Sequence, residues 1–237
     1  MSSARPNPDE SNELQMQDDL SATFSRIGIN RDYATMDFSG IREDLQGWAS
    51  TDPIFVQMLE RVKPSLVVEV GTWKGASVVH MAQTARRLNL STKFICVDTW
   101  LGSNDLLWLD PDYRESLMLH HGYPTMFRQF IYNVIASGVA EDVYPLPMTS
   151  SAGCYILKRL NIIPDLVYID AGHEEDEVAI DLKLYYDLLA PGGYMFGDDY
   201  HLDWMGVVRA VNRFCADNNL FLTADSGKWS FPKPVQA

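Results

Sequence analysis

Residues 66–77 read Leu-Val-Val-Glu-Val-Gly-Thr-Trp-Lys-Gly-Ala-Ser. An apolar, β-branched run closes on the acid Glu69. Gly71 and Gly75 follow, and a helical pattern begins. Strand, glycine turn and helix start, in that order, let a cofactor approach bare backbone. The spacing is acid-x-Gly-x-x-x-Gly, which departs from the Gly-x-Gly-x-x-Gly of dinucleotide sites. A second buried-strand pattern, Phe94 to Asp98, also ends in an acid, where the ribose hydroxyls of a nucleoside would be gripped. Trp100, two residues past Asp98, offers a flat ring for stacking, although a ring of this kind equally suits ordinary packing.

Three further carboxylates follow strand patterns. Asp170 ends Leu-Val-Tyr-Ile-Asp, and Asp198 and Asp199 follow Tyr-Met-Phe-Gly. Adjacent strands lie about 4.8 Å apart, so acids at their ends can converge. Clustered carboxylates repel unless a proton or a cation sits among them, and an all-oxygen set suits Mg²⁺, Ca²⁺ or Mn²⁺. Each acid equally reads as a cap on the helix or turn that follows. His173 lies three residues beyond Asp170 and would face the same mouth if Gly172 bends the chain. An imidazole there could take a proton near neutral pH, or could simply cap or pack.

The surrounding elements must position these groups. Phe55, Met58, Leu59 and Val62 follow helical spacing and Pro64 ends that helix. Val78, Val79, Ala82 and Ala85 mark a helix after the glycine turn, and Pro124 starts another that carries Phe127, Phe130, Ile131 and Val134. Val143 to Leu146 reads as a short strand, followed by a helix start at Thr149-Ser150-Ser151. Glu174 to Glu177 open a helix whose positive end favours acids. Val207, Val211 and Phe214 mark one more helix, and the closing strands fall within 219–231. Strands alternating with helices predict an α/β fold, a doubly wound, Rossmann-like and mostly parallel sheet in a single domain. The division expected is a polar arm over 1–20, a helical segment over 21–63 and the main domain over 64–237, with an acceptor-side insert at about 101–122.

The chain has 237 residues, a formal charge of -13 and only 19 lysines and arginines. No basic block appears, which argues against nucleic-acid or anionic-membrane surfaces. The three cysteines, Cys96, Cys154 and Cys215, show no metal or disulfide spacing, as expected of buried thiols in a reducing compartment. The first residues lack the apolar core of a signal peptide, and no run of about 18 apolar residues occurs. A cytoplasmic protein without membrane contact is the expectation, and assembly into a homo-oligomer stays open.

Taken together, Glu69 to Gly75, Val97-Asp98-Thr99-Trp100, Tyr168 to His173, Pro191-Gly192-Gly193 and Gly197 to Tyr200 resemble the class I methyltransferases that use S-adenosylmethionine. The resemblance is to the cephalosporin hydroxylase-like and macrolide-sugar O-methyltransferase group, over roughly 48–218. It implies a seven-stranded sheet with one reversed strand near the edge. It implies that Glu69, Gly71 and Gly75 hold the methionine part of S-adenosylmethionine and that Asp98 binds ribose. Thr72, Ser77, Trp100, Ser150 and Asp170 complete the cofactor contacts expected. It also implies Mg²⁺, or another hard divalent cation, on Asp170, Asp198 and Asp199, with His173 as the base. Asp198 departs from the Glu of several relatives. The activity implied is metal-assisted methyl transfer to a hydroxyl of a small acceptor, a sugar or glycoside. A catechol-type acceptor, a non-catalytic cofactor-binding accessory protein and a nucleotide-sugar or NAD enzyme are the alternatives.

Overall fold

Strands buried on both faces are near-continuous apolar runs, because helices cover the sheet on each side. The computed structural model describes residues 20–103 and 107–235. The chain divides into two compact units, Met1–Thr35 and Met36–Ala237. In the described part of the first, helix α1 spans residues 20–26 and ends in a turn where the Gly28 and Ile29 N–H groups donate to the Ser25 and Phe24 carbonyls. The arm expected over 1–20 lies, apart from Leu20, outside the described residues. The sheet and every residue discussed below belong to the second unit.

That unit runs α2 (Pro53–Val62), β1 (Leu66–Val70), α3 (Ala76–Arg87), β2 (Lys93–Asp98), α4 (Pro111–Arg114), α5 (Met126–Ala136), β3 (Val143–Pro147) and α6 (Ser150–Arg159). It continues with β4 (Leu166–Ile169), α7 (Glu175–Leu188), β5 (Tyr194–Gly197), α8 (Met205–Asp217), β6 (Thr223–Asp225) and β7 (Lys228–Pro232). The seven strands form one sheet in the order β3-β2-β1-β4-β5-β7-β6. β1 to β5 are parallel, and β7 runs against both β5 and β6. This is the Rossmann-like methyltransferase fold, with the reversed strand one place from the edge. The strand order turns back at β1, between β2 and β4, and ligands in such sheets sit outside the carboxyl ends of the strands at that point.

Some local expectations shift. Pro124 precedes its helix, which starts at Met126 with Thr125 in the capping position. The insert at about 101–122 holds α4, a 3-10 turn over Glu115–Leu117 and a bridge between His120 and Tyr123.

Strand register sorts the side chains. Glu69 pairs with Cys96 and Tyr168, Tyr168 with Phe196, and Phe196 with Ser230. Strand side chains alternate between faces, so Glu69, Tyr168, Phe196 and Lys228 share one face of the sheet. Phe55 of α2 covers that face, with its ring 5.0 Å from Tyr168 and 5.7 Å from Phe196. On the other face Phe231 packs against Phe214 of α8 and Tyr186 of α7.

Candidate active site

A cavity of about 760 Å³ opens at the carboxyl ends of the parallel strands, within the range usual for small-molecule sites. Gly71, Thr72, Asp98, Ser150, Asp170 and His173 are among its lining residues, as are Ser77, Asp198 and Asp199. The structure brings these residues to one cavity. Three expected contacts lie elsewhere. Glu69 and Gly75 stand behind the cavity wall, and Trp100 is 1 % exposed, packed between Phe127 and Phe130 with both ring centroids at 4.8 Å. The Trp100 indole N–H donates to the Trp73 carbonyl at 3.0 Å, so this ring braces the glycine turn and offers no stacking face to a ligand. The structure thus corrects the cofactor role expected of Trp100.

The glycine turn is shaped by its neighbours as much as by any ligand. Gly71 has φ +80, and a Cβ there would overlap the carbonyl oxygen of Asp170, where β1 passes the end of β4. Gly75 caps α3 at φ +88 and a Cβ would lie 2.9 Å from the Phe130 ring. Asp98 organises the same turn. One of its oxygens accepts the N–H groups of Thr72 (2.7 Å) and Trp73 (3.0 Å), and the other accepts that of Trp100 (2.7 Å). Burial nonetheless raises its pKa above the ordinary carboxylate value.

Glu69 is fully buried. Its Oε1 accepts the Ser77 hydroxyl, and its Oε2 has no hydrogen-bond partner among the described residues. Burial first, and then the neighbouring Asp170 and Asp98, push its carboxyl well above the usual range. An orphaned buried acceptor is costly unless something donates to it. It lies behind the glycine turn, joined to the cavity lining through the Ser77 hydroxyl.

At the ends of β4 and β5 the acids are already partnered. The antiparallel register pairs Gly197 with Trp229, and one residue further it sets Asp198 opposite Lys228. The Lys228 ammonium, on a residue 2 % exposed, donates to Asp198 Oδ2 and to the Tyr168 hydroxyl at 3.1 Å. The Tyr168 hydroxyl in turn donates to Asp170 Oδ2 at 2.9 Å. Asp198 Oδ1 accepts the Asp199 backbone N–H at 2.8 Å. Burial, with Asp198 and Asp199 nearby, pushes Asp170 up to about 7 against the opposing pull of Lys228 and Tyr168. Asp198 is raised by burial and held back by Lys228.

Asp199 takes a left-handed conformation, φ +63, and its Oδ2 lies 3.0 Å from His173 Nε2. The His173 ring stacks on Trp204 at 4.0 Å with an interplanar angle of 23°. Gly206, at the start of α8, packs directly against the His173 carbonyl. His173 lines the mouth, where its imidazole meets a carboxylate and an indole; the bend before it falls at Ala171 and not at Gly172.

The three acids do not fit the hard-cation site expected of them. Both oxygens of Asp198 are committed, one to Lys228 and one to backbone, and Asp199 faces two imidazoles, Oδ2 at 3.0 Å from His173 Nε2 and Oδ1 at 3.6 Å from His201 Nε2. Among the described residues no group of three or more His, Cys, Asp or Glu side chains is placed to hold a metal ion. Lys228 and Tyr168 were missed from sequence. The one signal for Lys228 was a lysine opening an otherwise apolar strand pattern.

Residues 68–200 match the model of a family described as a methyltransferase domain. The chain belongs to that family. A methyltransferase domain also accounts for the solved structures it resembles. An O-methyltransferase from Bacillus cereus in complex with SAH is 13% identical, with 90% of this chain and 91% of that one covered and a TM-score of 0.54. The O-methyltransferase NovP is 17% identical over 91% and 99%, with a TM-score of 0.58. CalS11, a TDP-rhamnose 3'-O-methyltransferase of calicheamicin biosynthesis, is 14% identical over 97% and 96%, with a TM-score of 0.53. Among curated proteins, an uncharacterized protein of Acanthamoeba polyphaga mimivirus is 27% identical over 153 residues. The match takes in 63% of this chain and spans 59% of that relative's length. Among the described residues of this methyltransferase domain no helix is long and apolar enough to cross a membrane.

Proposed function

We propose that this methyltransferase domain is an S-adenosylmethionine-dependent O-methyltransferase acting on a hydroxyl of a small acceptor, a sugar or glycoside. One observation carries the reading: a single cavity joins the glycine turn over an orphaned buried carboxylate to a carboxylate–imidazole pair at its mouth. Gly71, Thr72 and Ser77 would hold the amino-acid end of the cofactor, backed by Glu69 through the Ser77 hydroxyl, with Ser150 and Asp170 flanking the nucleoside. Asp98 would support the ribose from behind by fixing the turn. When bound, the cofactor supplies an electrophilic methyl group on a sulfonium.

The chain's own residues then have a narrow task. They orient the acceptor oxygen in line with the methyl, exclude water and remove a proton. His173 takes that proton, and Asp199 stabilises the resulting imidazolium, following the logic of a carboxylate that orients a catalytic histidine. Trp204 fixes the plane of the ring. A sugar hydroxyl is a much weaker acid than a phenol and depends more on such a pair. The named activities of NovP and CalS11 support a hydroxylated small acceptor.

Two measurements test this. Calorimetry should show S-adenosylhomocysteine binding, and transfer of labelled methyl should be seen on some member of a panel of sugars, glycosides and catechols. Methylation of catechols alone would remove the sugar assignment. Binding with no transfer to any hydroxylated acceptor would favour the accessory-protein reading.

A further inference from the structure

The group that balances the acids at the ends of β4 and β5 comes from the chain itself. We propose that Lys228 is the resident cation of this site, so that Asp198 serves as its anchor and not as a metal ligand. Four observations converge. The ammonium lies opposite Asp198 across the β5–β7 ladder, and opposite charges facing one another across strands are stabilising. It reaches Asp170 through the Tyr168 hydroxyl, so one lysine steadies two carboxylates. Its ammonium lies over the Phe55 and Tyr168 rings, 5.2 and 5.4 Å from their centroids, on a residue 2 % exposed, which walls it off from water. Asp198 Oδ1, the oxygen Lys228 leaves, is held by the Asp199 backbone.

A divalent ion would need Asp198 to exchange the lysine for the metal while the ammonium stayed buried beside it. Two cations sharing one carboxylate in a dry pocket repel strongly, so the lysine and the ion compete. Lys228 is a positioning residue in this account. It touches neither acceptor nor cofactor, and it acts by fixing where Asp198 and Asp170 point. The activity it would serve rests on the function proposed above, but the test does not.

Mn²⁺ is titrated by electron paramagnetic resonance into four proteins without cofactor or acceptor: wild type, Lys228→Met, Asp198→Asn and the double variant. Wild type should show no saturable site tighter than roughly 1 mM that depends on Asp198. Lys228→Met keeps the apolar stem, frees Asp198 and should tighten Mn²⁺ binding at least about tenfold, a gain the double variant should lose. Lys228→Met leaves Asp198 unpaired and buried, so it risks misfolding. In that case Asp198→Asn decides, because wild-type Mn²⁺ affinity in that variant supports the proposal. A tenfold or greater loss of wild-type affinity on Asp198→Asn would overturn it, and so would a folded Lys228→Met that binds Mn²⁺ no better than wild type. S-adenosylhomocysteine calorimetry on the same samples separates the two readings. Failure of the cofactor site would appear there, and failure of the lysine proposal in the Mn²⁺ titrations.

Discussion

Asp181 of α7 lines the cavity at 4 % exposure, with Ser150 as a side-chain hydrogen-bond partner. Burial, against the help of Ser150, pushes its carboxyl from 3.8 up to about 6. A raised carboxylate favours the folded state when protonated. Its contribution is therefore fully present below the unfolded pKa of 3.8 and is lost as pH rises through about 6. The shift of roughly two units corresponds to about 3 kcal/mol at pH 7 and above. Asp181→Asn removes the charge and keeps the shape. Allowing about 1 kcal/mol for a weaker bond from Ser150 leaves a gain of ~2 kcal/mol. In a chain of this size that raises Tm by roughly 4–8 °C. The assay is thermal unfolding of wild type and variant between pH 5 and 8, read as the difference in Tm. The difference should grow from pH 5 to about 7 and then level off. A variant that melts below wild type at pH 8, or by a constant margin at every pH, would refute the reasoning.

Other expectations concern the site itself. Gly71→Val forces a β-branched side chain into the Asp170 carbonyl and should cost about 3 kcal/mol or more; a folded variant with wild-type S-adenosylhomocysteine affinity contradicts the packing account. His173→Ala should lower kcat by roughly 10²–10⁴-fold with little change in cofactor affinity, whereas wild-type turnover on the best acceptor would move the base elsewhere. Trp204→Leu should lower kcat roughly tenfold by freeing the imidazole plane, and Trp204→Phe should restore most of it; equal rates in both variants would show that the stack is only packing.

The part of this molecule that reads out of its sequence is the part governed by local rules. The runs ending at Asp98, Asp170 and Asp198 are legible because a strand buried on both faces has little choice of residue, and the polar residue after it marks the sheet's edge. Gly71 and Gly75 are legible as a turn for a similar reason, since few other residues sit comfortably at their φ values. What each group touches was not legible. Gly71 is required by the Asp170 carbonyl, a contact set by the β1–β4 pairing. Trp100 turns inward at φ 52 to meet two phenylalanines of α5. Nothing near Lys228 in the sequence names its partner, which only the antiparallel register supplies by placing it opposite Asp198. Metal coordination and ion pairing make the same demand for clustered acids, and only the placement of a distant cation tells them apart.

The reversal of β7 decides which of its ends meets the cavity. A parallel strand would begin at the far end of the sheet, away from the cavity. Running backwards, β7 starts beside the ends of β4 and β5, and its first residue is Lys228. Without the β6–β7 hairpin, Asp170 and Asp198 would lack the Lys228 ammonium, and the open flank of β5 would expose unpaired backbone. One hairpin meets both demands, covering the strand and balancing the charge. The charge balance of the cavity thus depends on the sheet being complete beyond β5.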